Sequence, residues 1–290
     1  MKSEGNIMKK RLLASALVGV LTLGLLVGCG AKSADSADSA STSDGDTVTL
    51  KIAASTTPHA EILEHVKDQL AEEGVNLEIT EFEDYVQPNL VVDQGEYDAN
   101  YFQHVVYLEN FNEENGTDLV SAGEIHYEPF GIYAGTKTDL KDIADGDKIA
   151  VPNDTTNEAR ALLLLQDNGI IKLADGVGLE ATVNDIVENP YNVEIEELEA
   201  AQVSRVINEC AYVVLNGNYA QEAGLSVGKD ALAVEAQDSE AAENYVNVIA
   251  VKNGNEDNEA IQKLVKVLKS DEVQQWIEEE YDGAVIPYEG

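Results

Sequence analysis

From Thr47 to its C-terminus the chain alternates short apolar segments with amphipathic segments of helical period, and this alternation restricts the possible folds more than any other feature. The first apolar segment, "TVTLKIAAS" (47–55), precedes "TPHAEILEHVKDQLAEEG", where four aliphatic residues recur at helical spacing: Ile62, Leu63, Val66 and Leu70. Strands that alternate with helices are typical of α/β proteins with mainly parallel sheets. The pattern therefore predicts an α/β fold.

The alternation falls into two units, which predicts two lobes. Extended crossings near 131–135 and 247–251 are expected to join them, so that 47–130 and 252–290 form lobe 1, and 131–251 forms lobe 2 with both crossings. Interfaces between such units are common places for small ligands to bind. We therefore expect a ligand cleft between the lobes.

The N-terminal segment indicates where the protein resides. "MKKRLLASALVGVLTLGLLVGCG" (8–30) has a basic start, an apolar stretch and then small residues that lead into Cys29. This resembles a bacterial lipobox, which implies a signal peptide at 1–28 and a lipid on Cys29. We therefore expect a lipoprotein anchored in the cell membrane on its extracytoplasmic face.

The segment that follows the cysteine predicts a tether, and the charge excludes one class of partner. Residues 31–46 are mostly Ala, Ser and Asp and lack apolar periodicity, so 29–46 is expected to be disordered. The formal net charge of the chain is -37, which repels nucleic acid. Cys210 is the only cysteine besides Cys29 and is predicted to be a buried apolar residue.

Several long motifs, in order, resemble the NlpA-type substrate-binding lipoproteins of methionine ABC importers. They are "DYVQPN" (84–89), "DANYFQH" (98–104), "VPNDTTNEARALLLLQ" (151–166), "LADGVGLEATVNDIVENP" (173–190) and "LNGNYA" (215–220). The resemblance implies a type II periplasmic-binding-protein fold and a free amino acid, first of all methionine, as ligand. It also implies an ABC permease and its ATPase as partners, a monomeric state, no cofactor and no enzymatic activity.

Two of the residues that this resemblance marks lie at the start of a predicted helix. Arg160 matches the family's carboxylate-binding arginine, and only two arginines follow the N-terminal segment. A guanidinium fork beside free helix amides is suited to hold a carboxylate. Asn157, one turn earlier, is expected to bind the same ligand, although an asparagine there is also a common helix cap.

The remaining candidates complete a pocket for an amino acid. Tyr85 and Phe102 match the family's aromatic residues around the methionine side chain, and thioethers make favourable contacts with aromatic rings. His104 resembles the family's pocket histidine, and Asn216 follows a strand, "AYVVLN", that ends at the cleft. We assign Glu128 to the ligand ammonium from charge and position alone.

Two alternatives stay open at this point. A zinc-binding transport lipoprotein would need three well-placed histidines and a carboxylate, whereas the four histidines are scattered and His59 and His65 lie near opposite faces of one helix. We therefore expect no metal ligand. An enzyme of unknown type would lack the familiar catalytic motifs, because the chain has no G-x-S-x-G, H-E-x-x-H or P-loop sequence.

Overall fold

Two β-sheets with helices on their faces form the described part of the chain, residues 47–236 and 244–289 of a computed structural model. These residues belong to a single compact unit, Asp44–Gly290. The predicted signal peptide, the tether and the lipidation of Cys29 lie outside the described residues. Within the described ranges, no helix combines the length and the apolar composition that a membrane crossing requires.

The first sheet has six strands in the order β13-β4-β12-β3-β1-β2. Its strands are β1 (Val48–Ala54), β2 (Val75–Glu81), β3 (Ala99–His104), β4 (Leu119–Tyr127), β12 (Val246–Lys252) and β13 (Ile286–Pro287). Strand β1 is parallel to β2 and β3, whereas β12 is antiparallel to β3 and β4. The returning strand β12 thus lies in the middle of lobe 1.

The second sheet has five strands in the order β11-β5-β10-β6-β9. They are β5 (Gly131–Ala134), β6 (Lys148–Pro152), β9 (Glu194–Leu198), β10 (Tyr212–Leu215) and β11 (Ala231–Val234), and a separate ribbon pairs β7 (Lys172–Leu173) with β8 (Ile186–Glu188). Strand β6 is parallel to β9 and β10, and β5 is antiparallel to β10 and β11. This sheet is the centre of lobe 2, and the two lobes together give the predicted two-lobed α/β fold.

Helices cover the sheets. The α-helices are α1 (Glu61–Glu72), α2 (Gln87–Asp93), α3 (Val105–Asn115), α4 (Thr155–Asp167), α5 (Ala200–Val203), α6 (Gly217–Glu222), α7 (Val227–Asp230), α8 (Glu259–Leu268) and α9 (Asp271–Tyr281). A π-helical turn spans Thr56–Ala60, and single 3₁₀ turns span Leu140–Asp142, Gly178–Glu180, Val183–Asp185 and Ser204–Val206.

The amphipathic pattern of the first helix is confirmed by its burial. The four aliphatic residues that the sequence places on one face of α1 are all fully buried, and they pack in one core with α8 and α9. Complete burial of an aliphatic side chain contributes about 1.5–3 kcal/mol, so this face alone accounts for a substantial part of the attachment of α1. Lobe 2 has its own core around α4, β6 and β10.

The positions of two strands differ from the sequence-based prediction. The segment 247–251 was expected to be a crossing in lobe 2, but it lies within β12, which pairs with two strands of lobe 1. The chain is therefore back in lobe 1 by Val246, where β12 begins, and the first crossing lies at 128–130 between β4 and β5. The nine-residue strand β4 was not predicted, because most of its residues are only half-buried and its sequence contains no clear alternation.

The fold brings polar residues from both lobes to the cleft between them. His104 is the last residue of β3, Glu128 follows β4 directly, and Asn216 follows β10. Helix α4 begins three residues after β6 and carries Asn157 and Arg160 in its first two turns. In open α/β sheets, ligands bind beyond the carboxyl ends of strands, and these five residues lie there.

Candidate functional site

A cavity lies between the two lobes and encloses about 340 Å³ of space free of protein atoms, including the part open to solvent. All seven residues that the sequence marks as ligand contacts line it: Tyr85, Phe102, His104, Glu128, Asn157, Arg160 and Asn216. Five further lining residues were not predicted: Gln103, Tyr107, Gly217, Asn218 and Asn247.

The lobes are closed over this cavity by direct hydrogen bonds. Tyr85 of lobe 1 donates its hydroxyl to Asn218 Oδ1 of lobe 2 at 2.5 Å, and Tyr219 of lobe 2 donates to the Glu83 backbone oxygen at 2.9 Å. Beside them, the Thr155 hydroxyl donates to a carboxylate oxygen of α3 at 2.9 Å. The structure is therefore the closed form of the two-lobed fold.

Asn157 is held in one orientation by partners on three sides. Asp154 caps α4 by accepting the Asn157 backbone N–H at 3.0 Å, and it also accepts Asn157 Nδ2 at 2.8 Å. Asn157 Oδ1 accepts Asn216 Nδ2 at 2.8 Å and lies 3.2 Å from His104 Nε2. Asn157 is therefore not the cap itself, which is Asp154, and its side chain lines the cavity, while its contact with a ligand stays a prediction.

His104 is neutral and its tautomer follows from its contacts. Its Nδ1 accepts the backbone N–H of Tyr107 at 3.0 Å at the start of α3, so the proton is on Nε2, which points to Asn157 Oδ1. Burial and the nearby Arg160 charge lower the pKa of His104 from 6.5 to about 3, despite the hydrogen bond to Asn157. His104 is thus an N–H donor that joins lobe 1 to lobe 2.

Asn216 offers the cavity an acceptor without a partner. Its Nδ2 is engaged by Asn157, and Oδ1 is buried and makes no hydrogen bond within the described ranges. Exchanging the two amide atoms would place two oxygens against each other, so the geometry supports this orientation. A buried acceptor without a partner costs about 1–3 kcal/mol, which a donor on a ligand would offset.

Arg160 already has a carboxylate partner inside the protein, which the sequence analysis did not anticipate. Its Nε and Nη2 donate to Glu235 at 3.1 and 2.5 Å, and Nη2 also donates to the Glu128 backbone oxygen at 3.0 Å. Burial opposes the arginine charge, but Glu235 outweighs that effect and raises the pKa of the guanidinium above its ordinary value. The two partners are 75 residues apart in the chain.

Arg160 also lines the cavity. None of the hydrogen bonds among the described residues uses Nη1, although Arg160 is only 4% exposed and lines the cavity. The group also lies over the ring of Tyr245 at 4.1 Å and near that of Phe130 at 4.8 Å. Rings on its face and a carboxylate on one edge leave little freedom, so the guanidinium is pre-oriented.

Aromatic rings form one wall of the cavity. The ring centroid of Tyr85 is 5.7 Å from that of Phe102 and 5.8 Å from that of Tyr107, and Tyr107 donates its hydroxyl to the Tyr85 backbone oxygen. Tyr219 lies 4.9 Å from Tyr85 on the lobe 2 side. Spacings of this size are ordinary for packed aromatic pairs, and the wall they form is apolar.

Glu128 is a buried carboxylate at the opposite wall. Burial raises its pKa, while His59, the charge of Arg160 and the backbone N–H of Asn218 offset part of that effect. Its Oε1 lies 2.9 Å from His126 Nε2 and 3.3 Å from His59 Nε2. Glu128 also fills the space beside Gly217, where a Cβ atom would come within 2.4 Å of Oε2.

The group formed by His59, His126 and Glu128 is the one place in the described ranges with metal-ligand character, because its ligand atoms all lie within 4.8 Å of one another. Sequence reasoning missed it, because it compared His59 with its helical neighbour His65 and not with a residue 67 positions away. Burial lowers the pKa of His59 to about 4 and that of His126 to about 3, so both are neutral at pH 7.

The same cluster also resembles a serine–histidine–carboxylate arrangement, but it does not face the cavity. The Ser55 hydroxyl lies 2.6 Å from His59 Nδ1, on the far side of the ring from Glu128. Ser55 and His59 are both buried, and neither lines the cavity. A ligand in the cavity would thus meet the carboxylate and not the hydroxyl.

Comparison with known proteins agrees with this architecture. The Bacillus subtilis (strain 168) protein named methionine-binding lipoprotein MetQ is 38% identical over 283 residues, which cover 96% of this chain and 98% of that protein. A crystal structure from Ruminococcus gnavus ATCC 29149 is 74% identical with a TM-score of 0.82, over 83% of this chain and 99% of that one.

A third relative has a ligand in its structure. A nutrient-binding protein from Burkholderia cenocepacia, solved bound to methionine, is 42% identical with a TM-score of 0.78, over 82% of this chain and 99% of that one. The sequence model of the NlpA lipoprotein family matches residues 50–289, which include all but the first two residues of the sheets and every residue of the cavity. With two closed lobes, a polar and aromatic cavity between them and this match, the chain belongs to the NlpA lipoprotein family.

Proposed function

We propose that this protein is the extracytoplasmic substrate-binding lipoprotein of an ABC importer and that its ligand is methionine. The observation that carries the proposal is one closed cavity with a buried arginine, a buried carboxylate and an aromatic wall, lined from both lobes. A free amino acid presents the matching groups: a carboxylate, an ammonium and a side chain. The name of the Bacillus subtilis relative and the methionine in the Burkholderia cenocepacia relative support the choice of ligand.

The backbone groups of the ligand are assigned to adjacent residues. Arg160 Nη1 binds the carboxylate, because the other edge of the guanidinium is taken by Glu235. Glu128 and Asn216 Oδ1 accept from the ammonium. Arg160 and Glu128 both line the cavity and are neighbours, since Arg160 Nη2 donates to the Glu128 backbone oxygen at 3.0 Å.

The side chain of the ligand is assigned to the aromatic wall. Tyr85, Phe102 and Tyr107 offer ring surfaces to an unbranched thioether, and each such contact is worth roughly 0.3–1.5 kcal/mol. His104 and Asn157 hold the lobes together beside the ligand. A ligand that contacts both lobes stabilises the closed form relative to the open one, and this couples capture to recognition by the permease.

The rest of the proposal concerns the cellular setting. The protein is a monomer tethered to the outer face of the cell membrane by a lipid on Cys29, and it delivers the amino acid to an ABC permease and its ATPase. Lobe 1 consists of residues 47–130 together with strand β12, helices α8 and α9 and strand β13. Lobe 2 consists of the segment from β5 to β11. The ligand leaves unchanged, so the protein is not an enzyme.

A zinc-binding transport lipoprotein is the second candidate, and the cluster of His59, His126 and Glu128 favours it. Against it, the three side chains already satisfy one another, and the rings are further engaged by Ser55 and Tyr101. A zinc ion would have to displace the protons of both Nε2 atoms. The arginine and the aromatic wall would also have no role in binding a cation.

The test is a thermal-shift panel of free amino acids and zinc on the purified full-length protein, at equal ligand concentration. A ligand that binds only the folded state raises the unfolding midpoint by mass action. Methionine should give the largest shift, followed by leucine or norleucine, then glutamine, with charged amino acids last. Burying the glutamine amide without partners costs roughly 1–3 kcal/mol, at least several-fold in affinity. A larger shift with zinc or with a charged amino acid would refute the assignment.

A further inference from the structure

A layer of buried polar residues lies behind Glu128, away from the cavity. It consists of Ser55, His59, Tyr101 and His126, none of which is more than 4% exposed and none of which lines the cavity. The function proposed above gives these residues no contact with a ligand. Their hydrogen bonds nevertheless determine which atoms of Glu128 carry protons.

The tautomer of His126 follows from its two neighbours. The Tyr101 hydroxyl lies 2.5 Å from Nδ1, and Glu128 Oε1 lies 2.9 Å from Nε2. If Tyr101 donates to Nδ1, the proton of the neutral ring is on Nε2 and points at Glu128. The opposite arrangement would leave the buried Tyr101 hydroxyl hydrogen without an acceptor among the described residues, which is costly.

His59 leads to the same conclusion independently. Its Nε2 faces two acceptors, Asn247 Oδ1 at 3.0 Å and Glu128 Oε1 at 3.3 Å, so Nε2 must carry the proton. Its Nδ1 then accepts from the Ser55 hydroxyl at 2.6 Å. Two neutral rings thus aim N–H groups at a single carboxylate oxygen, and that oxygen carries no proton of its own.

The other oxygen of Glu128 is the one available to a ligand. Oε2 lies against Gly217 at the cavity wall, where any Cβ atom would come within 2.4 Å of it. With Oε1 bound by both rings and the side chain confined beside Gly217, the carboxylate cannot rotate without losing hydrogen bonds. The two rings therefore fix which oxygen of Glu128 is presented to a cationic partner.

We propose that His59 and His126 are positioning residues for the ligand ammonium: together with Ser55 and Tyr101 they hold the Glu128 carboxyl group in one orientation, with Oε1 bound by the two rings and Oε2 at the cavity wall. This rests on the proposed function in that it takes the ligand to carry an ammonium group.

The decisive variant is Tyr101→Phe, which removes only the hydroxyl that sets the His126 tautomer. It should weaken methionine binding about threefold to tenfold, the usual effect of one buried hydrogen bond. In a Glu128→Gln background the same substitution should change affinity less than twofold, because no carboxylate remains to be oriented. Calorimetry on the full-length protein measures the methionine affinity of the four proteins in this double-mutant cycle, which are the wild type, the two single variants and the double variant.

The control is Tyr212→Phe, which removes a buried tyrosine hydroxyl bonded to the Asp139 backbone oxygen in lobe 2, away from the cavity. It should leave methionine affinity unchanged. His126→Gln, which keeps an N–H donor near the position of Nε2, should retain more affinity than His126→Leu, and circular dichroism checks that each variant is folded.

Three outcomes distinguish the hypotheses. Equal losses from Tyr101→Phe in both backgrounds would overturn the positioning role, since a purely structural hydroxyl acts regardless of residue 128. Equal affinities of His126→Gln and His126→Leu in folded protein would do the same. If the unmodified protein fails to bind methionine at all, the proposed function fails instead, and the cycle would be repeated with whichever amino acid gives the largest thermal shift.

Discussion

The buried pair of Arg160 and Glu235 allows stability and ligand binding to be separated by substitution. Arg160 is 4% exposed and the Glu235 side chain 9%, and two guanidinium nitrogens donate to the one carboxylate. Arg160→Met leaves Glu235 buried with the Tyr127 hydroxyl as its remaining side-chain donor within the described residues. Breaking a buried pair in this way costs about 3–5 kcal/mol.

This loss of stability should lower the thermal unfolding midpoint considerably. A domain of this size loses roughly 2–4 °C of midpoint per kcal/mol, so Arg160→Met should lower the midpoint by roughly 6–20 °C. Adding Glu235→Gln removes the second charge and keeps an acceptor for Tyr127. The double variant should therefore recover to within about 1–2 kcal/mol of wild type, the remainder being the lost contact of the guanidinium with the Tyr245 ring.

Binding should follow a different pattern from stability. Both variants that lack Arg160 should bind methionine at least tenfold more weakly, since removing one side of a buried charge pair costs roughly 2–5 kcal/mol. Glu235→Gln alone should lose stability but keep most of its affinity. Arg205→Met, at the exposed arginine, is the matched control and should change neither property.

Urea unfolding without ligand and calorimetry with methionine supply the two measurements. If the double variant is as unstable as Arg160→Met, Glu235 is not the charge partner that stabilises the arginine. If Arg160→Met binds methionine with wild-type affinity, the assignment of the ligand carboxylate to Arg160 is wrong. Each result refutes one step of the reasoning and leaves the other standing.

Three further predictions concern pH, the cavity wall and the anchor. The buried histidines have pKa values of about 3 to 4 in the folded protein, below the ordinary 6.5, so the unfolded state binds more protons and the free energy of unfolding decreases as pH falls below 6.5. His126→Gln should reduce the slope of unfolding free energy against pH by up to about 1.4 kcal/mol per pH unit, measured by urea unfolding. Equal slopes for the variant and the wild type would contradict this prediction. Gly217→Ala should displace Glu128 and weaken methionine binding at least tenfold by calorimetry, whereas Gly228→Ala, with only a 3.7 Å contact, should not. Cys29→Ala should abolish acyl labelling and release the protein from the membrane fraction; unchanged labelling would exclude the lipoprotein assignment.

Local patterns in the sequence predicted a large part of the fold. The helical spacing of Ile62, Leu63, Val66 and Leu70 predicted the buried face of α1, and the apolar run before Asn216 predicted β10. These predictions succeed because helix and strand periods are set by neighbours along the chain. Strand β4 was not predicted because its half-buried middle residues do not alternate between apolar and polar.

The cavity residues could likewise be predicted individually, but the contacts between them could not. The motifs marked six positions and charge with position marked Glu128, and the structure brings all seven to one cavity. The pairings among them were not predictable in this way, because the partners are distant in sequence: Glu235 lies 75 residues from Arg160, and His59 lies 188 residues from Asn247. Contacts between residues so far apart leave no periodic pattern in the sequence.

The sequence by itself thus determined most elements of the two lobes, seven of the cavity residues and the compartment signal at the N-terminus. Only the tertiary structure decided that β12 returns to lobe 1, that Arg160 has an internal carboxylate, and that two neutral histidines hold Glu128. The physical reason is that periodicity and motifs describe what each segment can bury, whereas hydrogen bonds and charge pairs depend on which distant segments the closed fold places within about 3 Å of each other.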